Sequence, residues 1–496
     1  MKISSIKRCL ALLVAIFLML SSYSQSKDDK DSKRPPNIVF ILADDLGWKD
    51  LACYGSQYYQ TPNIDRFAAE GMTFTSAYMM PTCAPSRAAL MSGQYPPRTD
   101  IYSVDAFGRT PLKLKQLNGI KSEKEMNTEV VTIAERLKNN GYVTGHFGKW
   151  HLGDTKETLP EGQGFDFNLA GGSAGRPDSY FYPYGNVNCV DGNKDDYLSD
   201  QVTNGACDFM RANTDQAFFL YLPFYLVHVP LHTKQEWVNK YKVKAGCGLQ
   251  NVPEYGAMVS YMDYCVGKVL ATIKDLGLQN NTLVIFTSDN GGQNMVTSNS
   301  PLSGQKGNLS EGGIRVPLIV RWPGVIKPRT TSDVPVTVVD FYPTLLDVSG
   351  ISANKDQVMD GESLVSLFKG SQKLTRDAIF WHLPNYNGNG VSNAELWQTP
   401  GGAVRLGDWK LIENFENGAV QLYNLKTDIS ERINLAEKFP KKRDELLDHL
   451  KKWRQSCDAP IPNVSNPTYT KDLVPKVEMY ENKRNRKEME KLILIK

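Results

Sequence analysis

The sequence predicts an α/β protein: a large mixed, mostly parallel sheet flanked by helices, followed by a smaller C-terminal antiparallel sheet with a helix on it. Three observations carry this reading. Four runs of strand length are apolar throughout instead of alternating, the pattern of strands covered on both faces. Helical periodicity fills the intervals between them. Beyond residue 373 the pattern changes to short strand-like pieces divided by Gly, Asn and Asp turns. At 496 residues the chain also exceeds what one ordinary core serves, so a large domain and a smaller one are expected.

The chain opens with Lys2, Lys7 and Arg8 ahead of the apolar run 9–20 and the small-residue stretch Ser22-Tyr23-Ser24, the pattern of a signal peptide over residues 1–24. Twelve apolar residues fall short of the about 20 that span a bilayer, so no stable membrane anchor is expected. Cys9 follows Arg8 and is not placed for lipid attachment. Residues 25–36 are a charged, flexible lead-in. The first strand, 37–43, ends in Asp44-Asp45. Thr128 reads as the cap of a helix over 129–140, with Ile133 and Leu137 on its inner face and Gly141 as its stop. A second strand, 142–147, runs into Lys149 and His151, and a third, 217–227, into His228. A long helix over 254–276 closes at Gly277, and a fourth strand, 282–287, ends in Asp289-Asn290. These elements place the larger domain over 37–373. The region 374–496 holds strands at 378–382, 403–406, 409–412 and 421–424, an amphipathic helix over 441–453 and a charged tail from Lys471, where 478–491 can form a solvated helix.

Composition excludes some classes. The formal net charge is +3, from 57 Lys and Arg against 54 Asp and Glu; removing the leader takes away three bases and leaves 54 of each. No global basic field is left for nucleic acid, and anion recognition must be local. Eight cysteines become six once Cys9 and Cys83 are set aside: Cys53, Cys189, Cys207, Cys247, Cys265 and Cys457. Their wide spacing, with no C-x-x-C, indicates neither a dense disulfide framework nor a zinc knuckle, and their pairing is open.

In a sheet of this type, ligands gather beyond the carboxyl ends of the strands. All four polar clusters fall at such ends and define one candidate site. Asp44, Asp45, Asp289 and Asn290 form an all-oxygen set suited to a hard divalent cation, Ca²⁺ before Mg²⁺ because no nucleotide is needed to complete the shell. The plainer reading of Asp-Asp after a strand is a helix cap or Asx-turn. Three carboxylates and an amide closing two strands weigh against it, because converging like charges repel unless a cation sits between them.

The run Cys83-Ala84-Pro85-Ser86-Arg87 precedes an apolar helical stretch. On its own a free cysteine is most often a small buried hydrophobe. However, C-x-P-S-R resembles the signature of the type I, formylglycine-dependent sulfatases of the alkaline phosphatase superfamily. Residues 37–47, Gly148-Lys149-Trp150-His151-Leu152-Gly153, Thr287-Ser288-Asp289-Asn290-Gly291-Gly292 and Lys306 with Glu311-Gly312-Gly313-Ile314-Arg315 are similar to that family's blocks, in its order. The resemblance covers roughly 37–434.

It implies that Cys83 is oxidised by a formylglycine-generating or radical maturation enzyme to formylglycine (3-oxoalanine), whose hydrate attacks sulfur and later expels sulfate by collapsing to the aldehyde. It implies one Ca²⁺ held by Asp44, Asp45, Asp289 and Asn290 and touching residue 83, which lowers the nucleophile's pKa. Arg87, one helical turn beyond Cys83, would bond the diol and the metal ligands. Lys149 and Lys306 would face the sulfate oxygens, His151 would take the diol proton and His228 would protonate the leaving oxygen. The Gly-rich segment 171–182 looks like a loop over the site, with Arg176 and Asp178 as candidates for sugar contacts and His232 as a further one. The dipole of the helix after Cys83 adds to the anion site.

The implied activity is hydrolysis of sulfate monoesters on O-sulfated carbohydrate, of sulfated galactose or N-acetylgalactosamine type, by an exported, periplasmic or secreted enzyme. An arylsulfatase is one alternative. A phosphomonoesterase of the same superfamily would need Ser or Thr as nucleophile and a second, His-ligated metal, whereas this chain offers Cys and six His in all. A silent module that binds sulfated glycans would result if Cys83 stays a thiol.

Overall fold

The computed structural model describes residues 34–107, 110–187, 192–248, 250–353, 355–387 and 398–470, with the backbone of 493–495. The leader, most of the lead-in, Cys189 and the helix expected over 478–491 lie outside them.

The large sheet takes strands from β1 (Asn37–Ala43), β2 (Met72–Tyr78), β3 (Val143–Phe147), β4 (Phe167–Leu169), β5 (Phe218–Pro223), β7 (Thr282–Ser288), β8 (Arg315–Arg321), β9 (Thr330–Ser332) and β10 (Val336–Thr337); β6 (Leu231–Thr233) stands apart. The order is β10-β2-β8-β7-β1-β5-β3-β4, with β9 also on β2. Strands β7, β1, β5, β3 and β4 are mutually parallel, and β8 runs antiparallel to both β7 and β2. The sheet is therefore mixed and mostly parallel.

Both faces of β1 are buried, as its unbroken apolar run requires. Ile38, Phe40 and Leu42 join a core formed with α2 (Cys83–Ser92), α3 (Ile133–Lys138) and α7 (Phe341–Val348). Val39, Ile41 and Ala43 join the opposite core with α1 (Pro62–Ala69), α4 (Leu198–Ala212), α5 (Gln235–Lys242) and α6 (Pro253–Asp275). Among the described residues no helix is long and apolar enough to cross a membrane.

The helix read over 129–140 starts later than expected. Its cap is Thr132, not Thr128: the Thr132 hydroxyl accepts from Glu135 N while the Glu135 carboxylate accepts from Thr132 N. This reciprocal box satisfies two amides that Thr128 would leave open.

The second sheet is antiparallel, in the order β11 (Ala378–Leu383), β12 (Gly401–Leu406), β13 (Trp409–Asn414), β14 (Val420–Asn424), and α8 (Pro440–Ser456) packs on it through Leu446 and Leu450. A buried charge cluster joins the two sheets. Lys410 Nζ lies 2.8 Å from both Glu311 Oε1 and Glu431 Oε1, Arg315 pairs with Glu311 Oε2 at 3.1 Å, and Tyr78 donates to the same oxygen at 2.7 Å. Cys53, Cys83, Cys207, Cys247, Cys265 and Cys457 are all free thiols.

Candidate active site

Strand register assembles the site. Ala43 pairs with Ser288 across β1 and β7, so Asp44 and Asp289 leave the sheet side by side; Leu42 pairs with Pro223, which brings in the segment that leads to His228. Asp44 and Asp289 are wholly buried and Asp45 nearly so. Asp45 turns out of the strand at φ +62°, with its amide bonded to Asp289 Oδ1 at 3.2 Å. Beyond β3, Gly148 takes φ +131°, and a Cβ there would collide with the Pro223 carbonyl. Only glycine lets the chain pass so close and turn Lys149 inward.

Two lysine–aspartate pairs follow: Lys149 Nζ to Asp44 Oδ2 at 2.7 Å and Lys306 Nζ to Asp45 Oδ1 at 2.7 Å. Arg87 is buried and gives Nε and Nη2 to Asp289 Oδ2 at 3.1 and 2.7 Å, and Nη1 to the Lys149 carbonyl at 2.8 Å. Its guanidinium thus ties the β3 and β7 segments together. Three carboxylates face three fixed cations in a largely buried space, open only at the Lys306 and His228 side, where such pairs act at short range and low screening.

Cys83 opens α2, and its Sγ lies 3.4 Å from His151 Nδ1. His228 donates Nδ1–H to the Val229 carbonyl at 2.6 Å, because a carbonyl only accepts; Nε2 then faces Asp45 Oδ2 at 3.5 Å. Burial pushes both histidines well below the ordinary imidazole value. Lys149 and Arg87 add to this at His151 and Lys306 at His228, against which Asp45 pulls His228 back up. Burial, with Asp289 and Asp45 beside it, raises the Asp44 carboxyl to about 8 despite Lys149. Asp45 is also buried, but Lys306, His228 and Lys149 hold it below the usual range.

The residues fit a cation. Asp44 Oδ1 and Asn290 Oδ1 are buried oxygens with no hydrogen-bond partner, while Asn290 Nδ2 donates to Asp45 Oδ1 at 2.8 Å. Two orphaned oxygens beside two more carboxylates are costly unless a positive centre satisfies them. Ligand atoms of Asp44, Asp45 and His228 lie within 4.8 Å of one another, so His228 stands at the edge of the oxygen set read from the sequence.

The loop 171–182 does lie against the site. The Gly172 carbonyl accepts from His151 N at 2.9 Å, and a Cβ on Gly175 would stand 2.7 Å from His151 Cε1. Tyr180 locks the loop down by donating to the Tyr225 and His228 carbonyls. Arg176, next to Gly175, and Asp178 are exposed on this loop. His232 sits beneath it, buried against Phe181 with ring centroids 4.7 Å apart and within 3.4 Å of Ser179 Oγ.

The sequence reading missed Asp50. This buried carboxylate accepts from Gly47 N at 2.9 Å, Tyr255 OH at 2.7 Å and Thr297 Oγ1 at 2.7 Å, fixing the turn that carries Asp44 and Asp45. The signal was available as an Asp three residues after Gly47, a turn-closing spacing. It also missed Ser86, whose hydroxyl bridges Met80 N and Met80 O and so holds the approach to Cys83.

The comparisons with known proteins agree with this geometry. The Sulfatase family model matches residues 36–351, and a model described as N-sulphoglucosamine sulphohydrolase, C-terminal, matches 305–456. A sulfatase of Formosa agariphila is 31% identical, over 92% of this chain and 95% of its own. The N-acetylgalactosamine-6-O-sulfatase of Bacteroides thetaiotaomicron is 28% identical, over 90% and 99%. The crystal structure of Ps i-CgsB in complex with k-i-k-neocarrahexaose superposes with a TM-score of 0.72 at 29% identity, covering 92% of this chain and 99% of that one. The chain belongs to the sulfatase family and is a sulfuric ester hydrolase.

Proposed function

We propose that the chain is an exported, formylglycine-dependent sulfatase that removes O-sulfate from galactose- or N-acetylgalactosamine-type residues of glycans. The observation that carries this reading is Cys83 Sγ placed 3.4 Å from His151 Nδ1, in a site that also holds the Lys149–Asp44 and Lys306–Asp45 pairs. The sulfur stands in for the oxygens that formylglycine carries on the same carbon.

Formylglycine at position 83 supplies, as its hydrate, a hydroxyl nucleophile that can later release sulfate. A divalent cation held by Asp44, Asp45, Asp289 and Asn290, with Ca²⁺ preferred, supplies charge neutralisation and lowers the pKa of an adjacent hydroxyl. The remaining work falls to the side chains. His151, kept neutral by burial and by Lys149, accepts a proton at Nδ1 from the group on residue 83. Lys149 and Lys306 hold their charges where sulfate oxygens gain density, and Arg87 keeps Asp289 in place. His228 turns Nε2 toward the departing sugar oxygen, with its Nδ1–H bond to the Val229 carbonyl fixing the ring; it donates from Nε2 only when doubly protonated, a state that burial and Lys306 oppose and that Asp45 beside it favours.

The glycan preference draws on the relatives' names and on the exposed Arg176 and Asp178 of the loop that packs on His151, which suit sugar hydroxyls or carboxylates. Export draws on the leader pattern of residues 1–24. The test is sulfate release by the mature enzyme from a panel of 6-O-, 4-O- and 2-O-sulfated galactose, N-acetylgalactosamine and glucosamine. Turnover confined to the galacto-configured sugars is expected. Preference for an aryl sulfate or a phosphate monoester over every sugar sulfate would reject the reading.

A further inference from the structure

The chain has no net basic field, yet residues 234–244 concentrate Lys234, Lys240, Lys242 and Lys244 against one acid, Glu236. This segment is α5 and its flanks, packed against α6. Aromatic rings crowd the same junction. Trp237 meets Tyr261 edge-on at 5.1 Å and lies 5.8 Å from Tyr264, which is 42% exposed. Lys240 Nζ stands 3.8 Å from the Trp237 ring centroid; Lys268 Nζ stands 5.8 Å from that of Tyr264 and is steadied by Asn204 Oδ1 at 2.7 Å. Val243, beside them, is 88% exposed.

We propose that Trp237, Tyr264, Lys240 and Lys268 form a second, non-catalytic site that binds sulfated polysaccharide. The inference rests on the glycan substrate proposed above. Sugar rings present C–H faces that pack on aromatic rings, here the exposed Tyr264 with the half-buried Trp237 beside it, and their sulfates pair with ammonium groups. A platform that offers both matches a sulfated glycan better than a neutral sugar or a bare anion.

The site is tethered to the catalytic centre. Trp237 lies nine residues beyond His228, so the chain between them spans at most about 30 Å. A polymer held on the platform keeps its other sulfated residues near Cys83 and raises their local concentration. The platform therefore acts on polymers and leaves small substrates unaffected.

The test is affinity electrophoresis of the mature enzyme in gels containing carrageenan or chondroitin sulfate, each against its chemically desulfated counterpart, with kcat/KM measured on a sulfated monosaccharide. Retardation by the sulfated polymers alone is expected, weakened by rising salt. Trp237→Ala with Tyr264→Ala should lower the apparent affinity about fivefold or more, and Lys240→Gln with Lys268→Gln about as much. Both pairs should leave monosaccharide turnover unchanged within about twofold. The lysine pair keeps the test open should the aromatic pair fail to fold. Equal retardation of wild type and both variants, or equal retardation by desulfated polymer, overturns the site. So does binding to phosphatidylserine vesicles in place of polysaccharide. Failure of the wild type to release sulfate from any sugar would instead strike at the proposed function, and is read independently.

Discussion

Lys410→Met tests the seam that holds the two sheets in register. In the native protein Lys410 Nζ neutralises Glu311 Oε1 and Glu431 Oε1, each at 2.8 Å, with all three groups shut away from water. Methionine fills the same space without the charge. Glu311 then keeps Arg315 and Tyr78, whereas Glu431 keeps only neutral donors, Ser303 Oγ and Glu311 N at 2.7 Å each. One buried carboxylate is left uncompensated, which costs about 3–5 kcal/mol. The pH dependence has a fixed sign. Burial raises the Glu431 carboxyl and Lys410 lowers it, so removing Lys410 raises it further. A raised carboxyl pKa means stability that is present at acid pH and lost as pH climbs through the folded value. The penalty should therefore be full at pH 8 and shrink toward pH 5, and Lys410→Met with Glu431→Gln should recover most of it. Thermal melts at both pH values read this as a drop of several degrees at pH 8. A melting point equal to wild type at pH 8, or an equal drop at both pH values, refutes the reasoning.

Other outcomes follow from the site. Calcium should raise the melting temperature more than magnesium, by up to about 2.7 kcal/mol of stability at 100 times its Kd, and Asp44→Asn should abolish most of that shift; a calcium-indifferent melt rejects the cation at the orphaned oxygens. His228→Ala should slow sugar sulfate hydrolysis by about 10²–10⁴ and an aryl sulfate with a good leaving group far less, and equal losses would remove His228 from the role of proton donor. Gly148→Ala should destabilise the fold and cut activity together, because its φ of +131° and its contact with Pro223 exclude a side chain; a fully active, equally stable variant would contradict the geometry.

Much of the fold was legible because burial on both faces writes an unbroken apolar run. β1, β5 and the centre of β7 carry such a run, β3 reads less cleanly because its buried Thr144 and His146 are polar, and the polar residues following all four marked the site. The strand β5 was overextended, since 224–227 is equally apolar but leaves the sheet to carry His228 inward. The helix start was misplaced because Thr128 and Thr132 both precede apolar residues, and only Thr132 has Glu135 three positions on. α2 offered no periodicity to read, since every residue from Cys83 to Ser92 is buried. The seam of Glu311, Lys410 and Glu431 was out of reach for a different reason. Its members are 99 and 120 residues apart from Glu311, and pairing at that distance is decided by tertiary packing.

The most direct measurement is mass spectrometry of the peptide that spans residue 83, from the mature protein of its native source, with and without an aldehyde-trapping amine. An aldehyde at that position, in a fraction that tracks specific activity across preparations, is the predicted result. An unmodified thiol in fully active protein would contradict it.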